Sequence, residues 1–542
     1  MTSKMASTAE SRTRRRLLGA VAAAPWLLPA IASGTAQTRG TPIVRTTTGR
    51  IRGFLAGDLH VFRGIRYGAD TAPRRFQPPE PPAPWRGILD AREFGPASLQ
   101  PGSEPHQSED CLFLNVMAPA GKPVRPRPVI VYIHGGAYST GSGSSPLYDG
   151  TQLCRRGDVV VVTLNHRLSV FGYLYLAEFP DSGNGGMLDL VLALRWVRDN
   201  IASFGGDPDC VTLSGQSGGG AKIATLMAMP AAAGLFHRAV TMSGQQLTAS
   251  GPLHARGRAG VLLERLQLRP DGGAILARLP AADLLTALKN TVDPYIGRGS
   301  VYMGPVLDER TLTRHPFYPD APPQSAGVPM MIGNTRDETR SLIGRGDPAT
   351  FEMTWDALPR RLEAELRVDI SGDTVVAEYR RLYPRYSAAD VFFAATTAGR
   401  SWRGAIVEAE LRAQQGSPAY VYQLDWGSPV DGGKWGAFHT LDIPLMFGTL
   451  GAPGSLTGEG AEARQVSEIM QDALLAFART GDPNSSGRPR WDPYELPRRA
   501  TMVFDVTSRL VDDPRGPERR LFAKVPFIQQ GTCAAGLTRR NS

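Results

Sequence analysis

Gly215-Gln216-Ser217-Gly218-Gly219 lies between a strand-like run at 210–214 and a helix-like run at 219–227. A serine in a G-x-S-x-G turn between strand and helix stands exposed on a strained bend, and the small residues around it prevent backbone clashes. The helix that starts behind it offers unpaired N–H groups and a positive dipole end to an incoming oxyanion. The chemistry open to such a serine is attack on a carbonyl carbon. At neutral pH its hydroxyl is a weak nucleophile, so it needs a base within hydrogen-bond reach and an acid to orient that base.

Three further stretches carry the missing parts. Val129-Ile130-Val131-Tyr132-Ile133-His134-Gly135-Gly136-Ala137-Tyr138 is a run of β-formers that delivers a glycine loop. The bland reading is a turn after a core strand. Its place about 80 residues before the serine favours a loop whose backbone N–H groups meet a substrate carbonyl at close range. Acids follow an apolar run in Met330-Met331-Ile332-Gly333-Asn334-Thr335-Arg336-Asp337-Glu338, and a histidine stands in Trp435-Gly436-Ala437-Phe438-His439. Ser217, Glu338 and His439 thus come in the order nucleophile, acid, base. Of the eight histidines, His134 belongs to the glycine loop, and His166 and His237 sit at element ends where packing suits them. His315, before a proline-rich loop, is the rival base. No His/Cys/Asp cluster has metal-ligand spacing, and no phosphate loop with Gly-Lys-Ser/Thr is present. A reaction without metal or cofactor is expected.

Apolar strand runs at 129–133, 159–164, 210–213, 239–243, 330–333 and 420–424 alternate with helical stretches. That alternation predicts an α/β fold with a mostly parallel sheet flanked by helices. Segments 251–320 and 345–415 break the rhythm with short helices, including 259–268 and 281–288, and are expected to cap the site. No internal repeat is present. The proline-rich stretches 73–84 and 119–128 read as loops inside one domain.

Several motifs in one order now resemble the type-B carboxylesterases, the family that includes cholinesterases, liver carboxylesterases and bacterial nitrobenzyl esterases. They are Phe62-Arg63-Gly64-Ile65-Arg66-Tyr67-Gly68, Ser108-Glu109-Asp110-Cys111-Leu112-Phe113-Leu114-Asn115-Val116, Asn165-His166-Arg167-Leu168, Gly183-Asn184-Gly185-Gly186-Met187-Leu188-Asp189 and Phe204-Gly205-Gly206-Asp207-Pro208. The likeness runs from about residue 44 to 504 and implies an α/β-hydrolase fold. It implies Ser217 as nucleophile, Glu338 rather than Asp337 as acid, and His439 as base in the pattern H-x-x-D-x-P-x-x-F-G. It implies an oxyanion hole of Gly136, Ala137 and Gly218, with Gly135 as spacer. Gln216 replaces the family's glutamate, which keeps the shape and one acceptor but loses a charge. A satisfied glutamine and a shifted pH profile both fit that change. Gly218 replaces an alanine. Ser243 matches a serine that supports the acid, and equally suits a core position at a strand end. The usual disulfide partner of Cys111 falls on Ser98, so Cys111 is expected as a buried thiol and no disulfide framework is expected.

The resemblance implies two-step ester hydrolysis through an acyl-enzyme, with a small-molecule ester as partner. In cholinesterases the loop before the Glu-Asp-Cys-Leu motif is long and carries a tryptophan that binds quaternary ammonium. Here residues 99–110 hold no aromatic ring except His106. Neutral short-to-medium acyl or aryl esters are therefore expected. Glu109 is expected in a structural ion pair, while Glu104, Trp426 and Trp435 are left as residues able to draw a cation. The other readings are a non-catalytic binding protein of this fold, and an amidase, carbamate hydrolase or lactonase with the same triad.

The net charge of +9 contains +4 from residues 1–36, and the other +5 is spread without a dense basic run. Fifty-four arginines against six lysines fit a compositional bias, and no nucleic-acid partner is expected. Thr13-Arg14-Arg15-Arg16-Leu17-Leu18 before an apolar stretch resembles a twin-arginine export signal. That stretch, 17–32, is too short and proline-interrupted to span a membrane. Cleavage after Ala32 or Ala36 would leave a mature domain, taken as 37–542, without a membrane segment. The expectation is a bacterial protein folded first, then passed by export machinery to the periplasm or beyond.

Overall fold

Strands that are apolar on both faces form the centre of an eleven-stranded sheet in the computed structural model, which describes residues 41–529 except 103, 290 and 297–299. The leader at 1–36 and Cys533 lie outside the described residues. In chain order the strands are β1 (Phe54–Ala56), β2 (Leu59–Arg66), β3 (Phe113–Pro119), β4 (Arg127–Ile133), β5 (Val160–Leu164), β6 (Gly206–Gln216), β7 (Arg238–Met242), β8 (Met330–Thr335), β9 (Ala419–Leu424), β10 (Ala500–Phe504) and β11 (Arg509–Asp512). Across the sheet they run β11-β10-β9-β8-β7-β6-β4-β5-β3-β2-β1. Neighbours from β10 through to β5 pair parallel, and the flanking strands pair antiparallel.

Every residue of β4, β5, β8 and β9 is buried, as parallel strands covered on both faces require. The pleat of β4 sends Val129, Val131 and Ile133 into one apolar cluster and Ile130 and Tyr132 into the other. Helices Gly185–Asn200 and Gly218–Leu226 cover the first face with Met187, Leu190, Ile223 and Leu226, and Ala461–Thr480 covers the second with Val466, Met470 and Leu474. This is the α/β-hydrolase arrangement.

Register brings the site loops to one edge. Gly215 pairs with Ile133, Gln216 with Met242, and Met242 with Gly333. The C-terminal ends of β4, β6, β7 and β8 therefore lie side by side; β4 leads on to β5 on one side and β6 to β7 on the other, and an α/β sheet opens a crevice between two such strands. Above them sit the two segments expected as caps. The first carries helices Pro252–Arg265 and Ala281–Lys289. The second forms its own apolar cluster, in which Leu358, Leu362, Val375, Tyr379 and Phe392 pack from helices Leu358–Glu365, Gly372–Leu382 and Ala388–Thr397. The first cap helix starts seven residues earlier than its apolar pattern, because Pro252 fits a first helical turn without losing a hydrogen bond.

Candidate active site

Ser217 sits between β6 and the helix Gly218–Leu226 with φ 57° and ψ −123°, a conformation an L-residue adopts only under constraint. Its N–H donates to the Met242 carbonyl at 2.7 Å, and its carbonyl accepts from Ala221 at 3.1 Å. The strain is thus held by the neighbouring strand and the helix. The turn leaves Ser217 on the wall of a cavity of about 630 Å³, together with Gly136, Ala137, Gly218, Ser243 and His439.

His439 is buried beside Glu338, which is wholly buried, and its Nδ1 is in a very short contact with Glu338 Oε2. Glu338 Oε1 accepts from the Thr335 N–H at 3.0 Å and from Asn334 Nδ2 at 3.3 Å. Burial pushes the Glu338 carboxyl up, but the charge and hydrogen bond of His439, with help from the Thr335 N–H, bring it below the ordinary value. The Ser243 hydroxyl itself is outside hydrogen-bond geometry. Asp337 turns elsewhere. Its Oδ2 accepts from the Ala437 N–H at 3.0 Å, Arg340 stands at 3.5 Å, and burial raises its pKa. The two adjacent acids are told apart by where they point.

Gly136 has φ +81° and Ala137 φ +52°. A Cβ at Gly136 would meet the Thr140 carbonyl at 2.3 Å, so the loop needs glycine there. Among the described residues the Gly136 and Ala137 N–H groups have no hydrogen-bond acceptor, and the Gly218 N–H opens a helix. Such donors, unpaired at a cavity wall, can hold an oxyanion. Gly218 has a reason that its sequence did not give: a Cβ there would stand 2.1 Å from the Ala137 carbonyl oxygen. Glycine at 218 and alanine at 137 therefore fit each other.

Gln216 is buried with its amide nitrogen 3.2 Å from His439 Nε2 and 3.4 Å from Nδ1. It lies against the base itself, not below the site. Asp442 is also buried; burial and the Glu338 charge push its carboxyl up to about 7, and Tyr422 donates to it at 2.9 Å. Neither Asp442 nor Lys222, a buried lysine behind the glycine loop, was singled out from sequence. The signal for Lys222 was present: a rare lysine inside an otherwise small and apolar helix.

The remaining candidates fall elsewhere. His315 accepts from the Ala249 N–H at 3.1 Å and does not line the cavity. His134 and His166 are buried, with tilted rings whose centroids are 4.7 Å apart; burial lowers both, His134 to about 3. Glu109 forms a two-point pair with Arg75, and Glu104 accepts from Ser142. Trp426 is buried against Glu462 and Trp435 packs on Phe351, so neither ring lines the cavity. Its lining aromatic rings are Tyr138 and Tyr302, from the glycine loop and the first cap segment; Arg367 and Arg400 come from the second. Cys111 is a buried free thiol, and Cys154 and Cys210 are also free. Among the described residues no group of three or more His, Cys, Asp or Glu is placed to hold a metal ion, and no helix is long and apolar enough to cross a membrane.

The family model of the carboxylesterase family matches residues 40–516. The para-nitrobenzyl esterase of Bacillus subtilis is 36% identical over 495 residues, covering 88% of this chain and 98% of that protein. The phenmedipham hydrolase of Pseudarthrobacter oxydans is 32% identical, with coverage of 88% and 98%. The crystal structure of a Geobacillus stearothermophilus carboxylesterase at pH 6.2 superposes with a TM-score of 0.79 at 38% identity, covering 89% of this chain and 99% of that one.

Proposed function

The chain belongs to the carboxylesterase family and is a serine carboxylic-ester hydrolase, and from that premise we propose how it works: Ser217, His439 and Glu338 perform two-step acyl transfer. Ser217 Oγ attacks the ester carbonyl while His439 takes its proton, and Glu338 holds the ring and steadies the imidazolium. The N–H groups of Gly136, Ala137 and Gly218 receive the oxyanion. His439 then protonates the leaving alcohol, and water repeats the sequence to release the acid. The observation that carries this reading is the buried Glu338–His439 contact, with His439 on the wall of the same cavity as Ser217.

The substrates proposed are neutral esters with short-to-medium acyl or aryl groups. Tyr138 and Tyr302 line the cavity, but Lys222 and Arg258 already stand over their rings, each at 5.4 Å, and no aspartate, glutamate or tryptophan is among the lining residues described. Nothing there would favour a quaternary ammonium strongly. Nitrophenyl acetate should be turned over with a specificity constant at least ~10-fold above that of acetylthiocholine, the ratio that ~1.4 kcal/mol of discrimination gives. Equal constants would overturn the choice of substrate. Nitroanilide, carbamate and lactone analogues in the same panel test the other leaving groups.

We also propose that residues 1–36 direct export of the folded protein by the twin-arginine route to the periplasm or the medium. The support is Arg14-Arg15 before an apolar, proline-interrupted stretch. Changing both arginines to lysine should keep active enzyme inside the cell; unchanged export would reject this route.

A further inference from the structure

Lys222 has no exposed surface and no carboxylate among its hydrogen-bond partners. It projects from the helix Gly218–Leu226, one turn behind the nucleophile, toward the loop that follows β4. Its Nζ donates to the His134 carbonyl at 3.1 Å and to the Ala137 carbonyl at 2.8 Å, and it stands 5.4 Å from the Tyr138 ring centre. These two carbonyls belong to the peptide units that bracket Gly136 and Ala137, the cavity-lining residues whose N–H groups have no acceptor among the described residues. Burying a lone ammonium opposes folding, and a methionine or leucine would fill an apolar helix position without that cost. Burial alone lowers the Lys222 ammonium to about 7. A group so expensive to bury must return something, and its two bonds go to the ends of one loop.

We propose that Lys222 is a positioning residue for the oxyanion hole: it ties the His134 and Ala137 carbonyls back to the helix and thereby aims the Gly136 and Ala137 N–H groups into the cavity. The proposal rests on the reading of those N–H groups as oxyanion donors. It also explains why position 218 is glycine, since the carbonyl that Lys222 binds occupies the space a Cβ would need. Gly136 and Ala137 both sit at positive φ, so the loop has to be held from outside. Ammonium bonds to carbonyls are charge-assisted and stronger than neutral ones.

The test is Lys222→Met, which keeps the length of the side chain and removes the donors. In a variant with the circular dichroism of the wild type, kcat for nitrophenyl acetate should fall ~10–100-fold with KM within ~2-fold, because only the transition state loses contacts. Binding of an aryl trifluoromethyl ketone, which places an oxyanion in the hole, should weaken by a similar factor. A folded variant with kcat within ~2-fold of wild type overturns the proposal, since that change is too small for lost oxyanion aim. Should Lys222→Met fail to fold, Lys222→Leu, which also lacks the donors, is measured in the same way; a folded leucine variant at full kcat also overturns it. Failure of both to fold makes Lys222 a folding residue and overturns it too. Wild-type enzyme that does not bind the ketone at all would instead remove the oxyanion-hole reading beneath it.

Discussion

The side-chain amide of Gln216 touches both ring nitrogens of His439, at 3.2 Å and 3.4 Å, while Glu338 holds Nδ1. A neutral group therefore fills a place where the family's glutamate would put a second carboxylate against the imidazole.

Gln216→Glu should move the acid limb of kcat/KM to higher pH by about one unit. An added carboxylate at this distance favours imidazolium, and only neutral imidazole can accept the Ser217 proton. The pH profile of nitrophenyl acetate hydrolysis measures it. A limb that stays in place or moves to lower pH would mean that residue 216 is electrostatically screened from His439.

Glu338→Gln should cost ~10³–10⁴ in kcat, since it removes the carboxylate that fixes the ring and its tautomer. Asp337→Asn should cost less than ~10-fold, because it disturbs only a backbone contact to Ala437 and a 3.5 Å pair with Arg340. Steady-state rates of the two variants decide the ranking, and a reversed order would move the acid to Asp337.

Much of this was legible in the chain. Strands β4, β5, β7, β8 and β9 carry largely apolar, buried stretches and were expected within about two residues of their observed limits, whereas β6 extends four residues before and three after the expected 210–213, through Asp207 and Asp209. The edge strands β1 to β3 and β10 to β11 were not expected. Leu59–Arg66 mixes His60, Arg63 and Arg66 with apolar residues, and pairing with β3, not local pattern, makes it a strand. Residue type could not separate Glu338 from Asp337; the turn after β8 directs Glu338 to His439 and Asp337 to the Ala437 N–H. The fit between Gly218 and Ala137 joins two loops about 80 residues apart, and local sequence does not encode such a contact.

Asp442→Asn should raise thermal stability at alkaline pH and much less at acid pH. Burial and the nearby Glu338 charge hold the folded-state pKa of Asp442 at about 7, above the ordinary 3.8. The folded protein therefore keeps this proton where the unfolded chain loses it, and the contribution of Asp442 to stability declines as pH rises from about 4 to 7. The variant removes that decline. Its Tm advantage should grow to about 2 °C or more at pH 8 and nearly vanish at pH 4.5. An advantage of equal size at both values would show that Asp442 is not held protonated by its surroundings.

Gly218→Ala should lower kcat by ~10-fold or more, although alanine is what the family carries there. The new Cβ would press on the Ala137 carbonyl, which is backbone and has no rotamer to yield. Nitrophenyl acetate kinetics give the result; full activity would mean that the Ala137 carbonyl turns away without cost.

The central claim is that one serine, at the bend between β6 and its helix, forms the acyl-enzyme. Fluorophosphonate labelling of the purified protein followed by peptide mass spectrometry tests it most directly. A single adduct is expected on the peptide containing Ser217, with neither label nor esterase activity in a folded Ser217→Ala protein. An adduct on another serine, or hydrolysis surviving in Ser217→Ala, would contradict it.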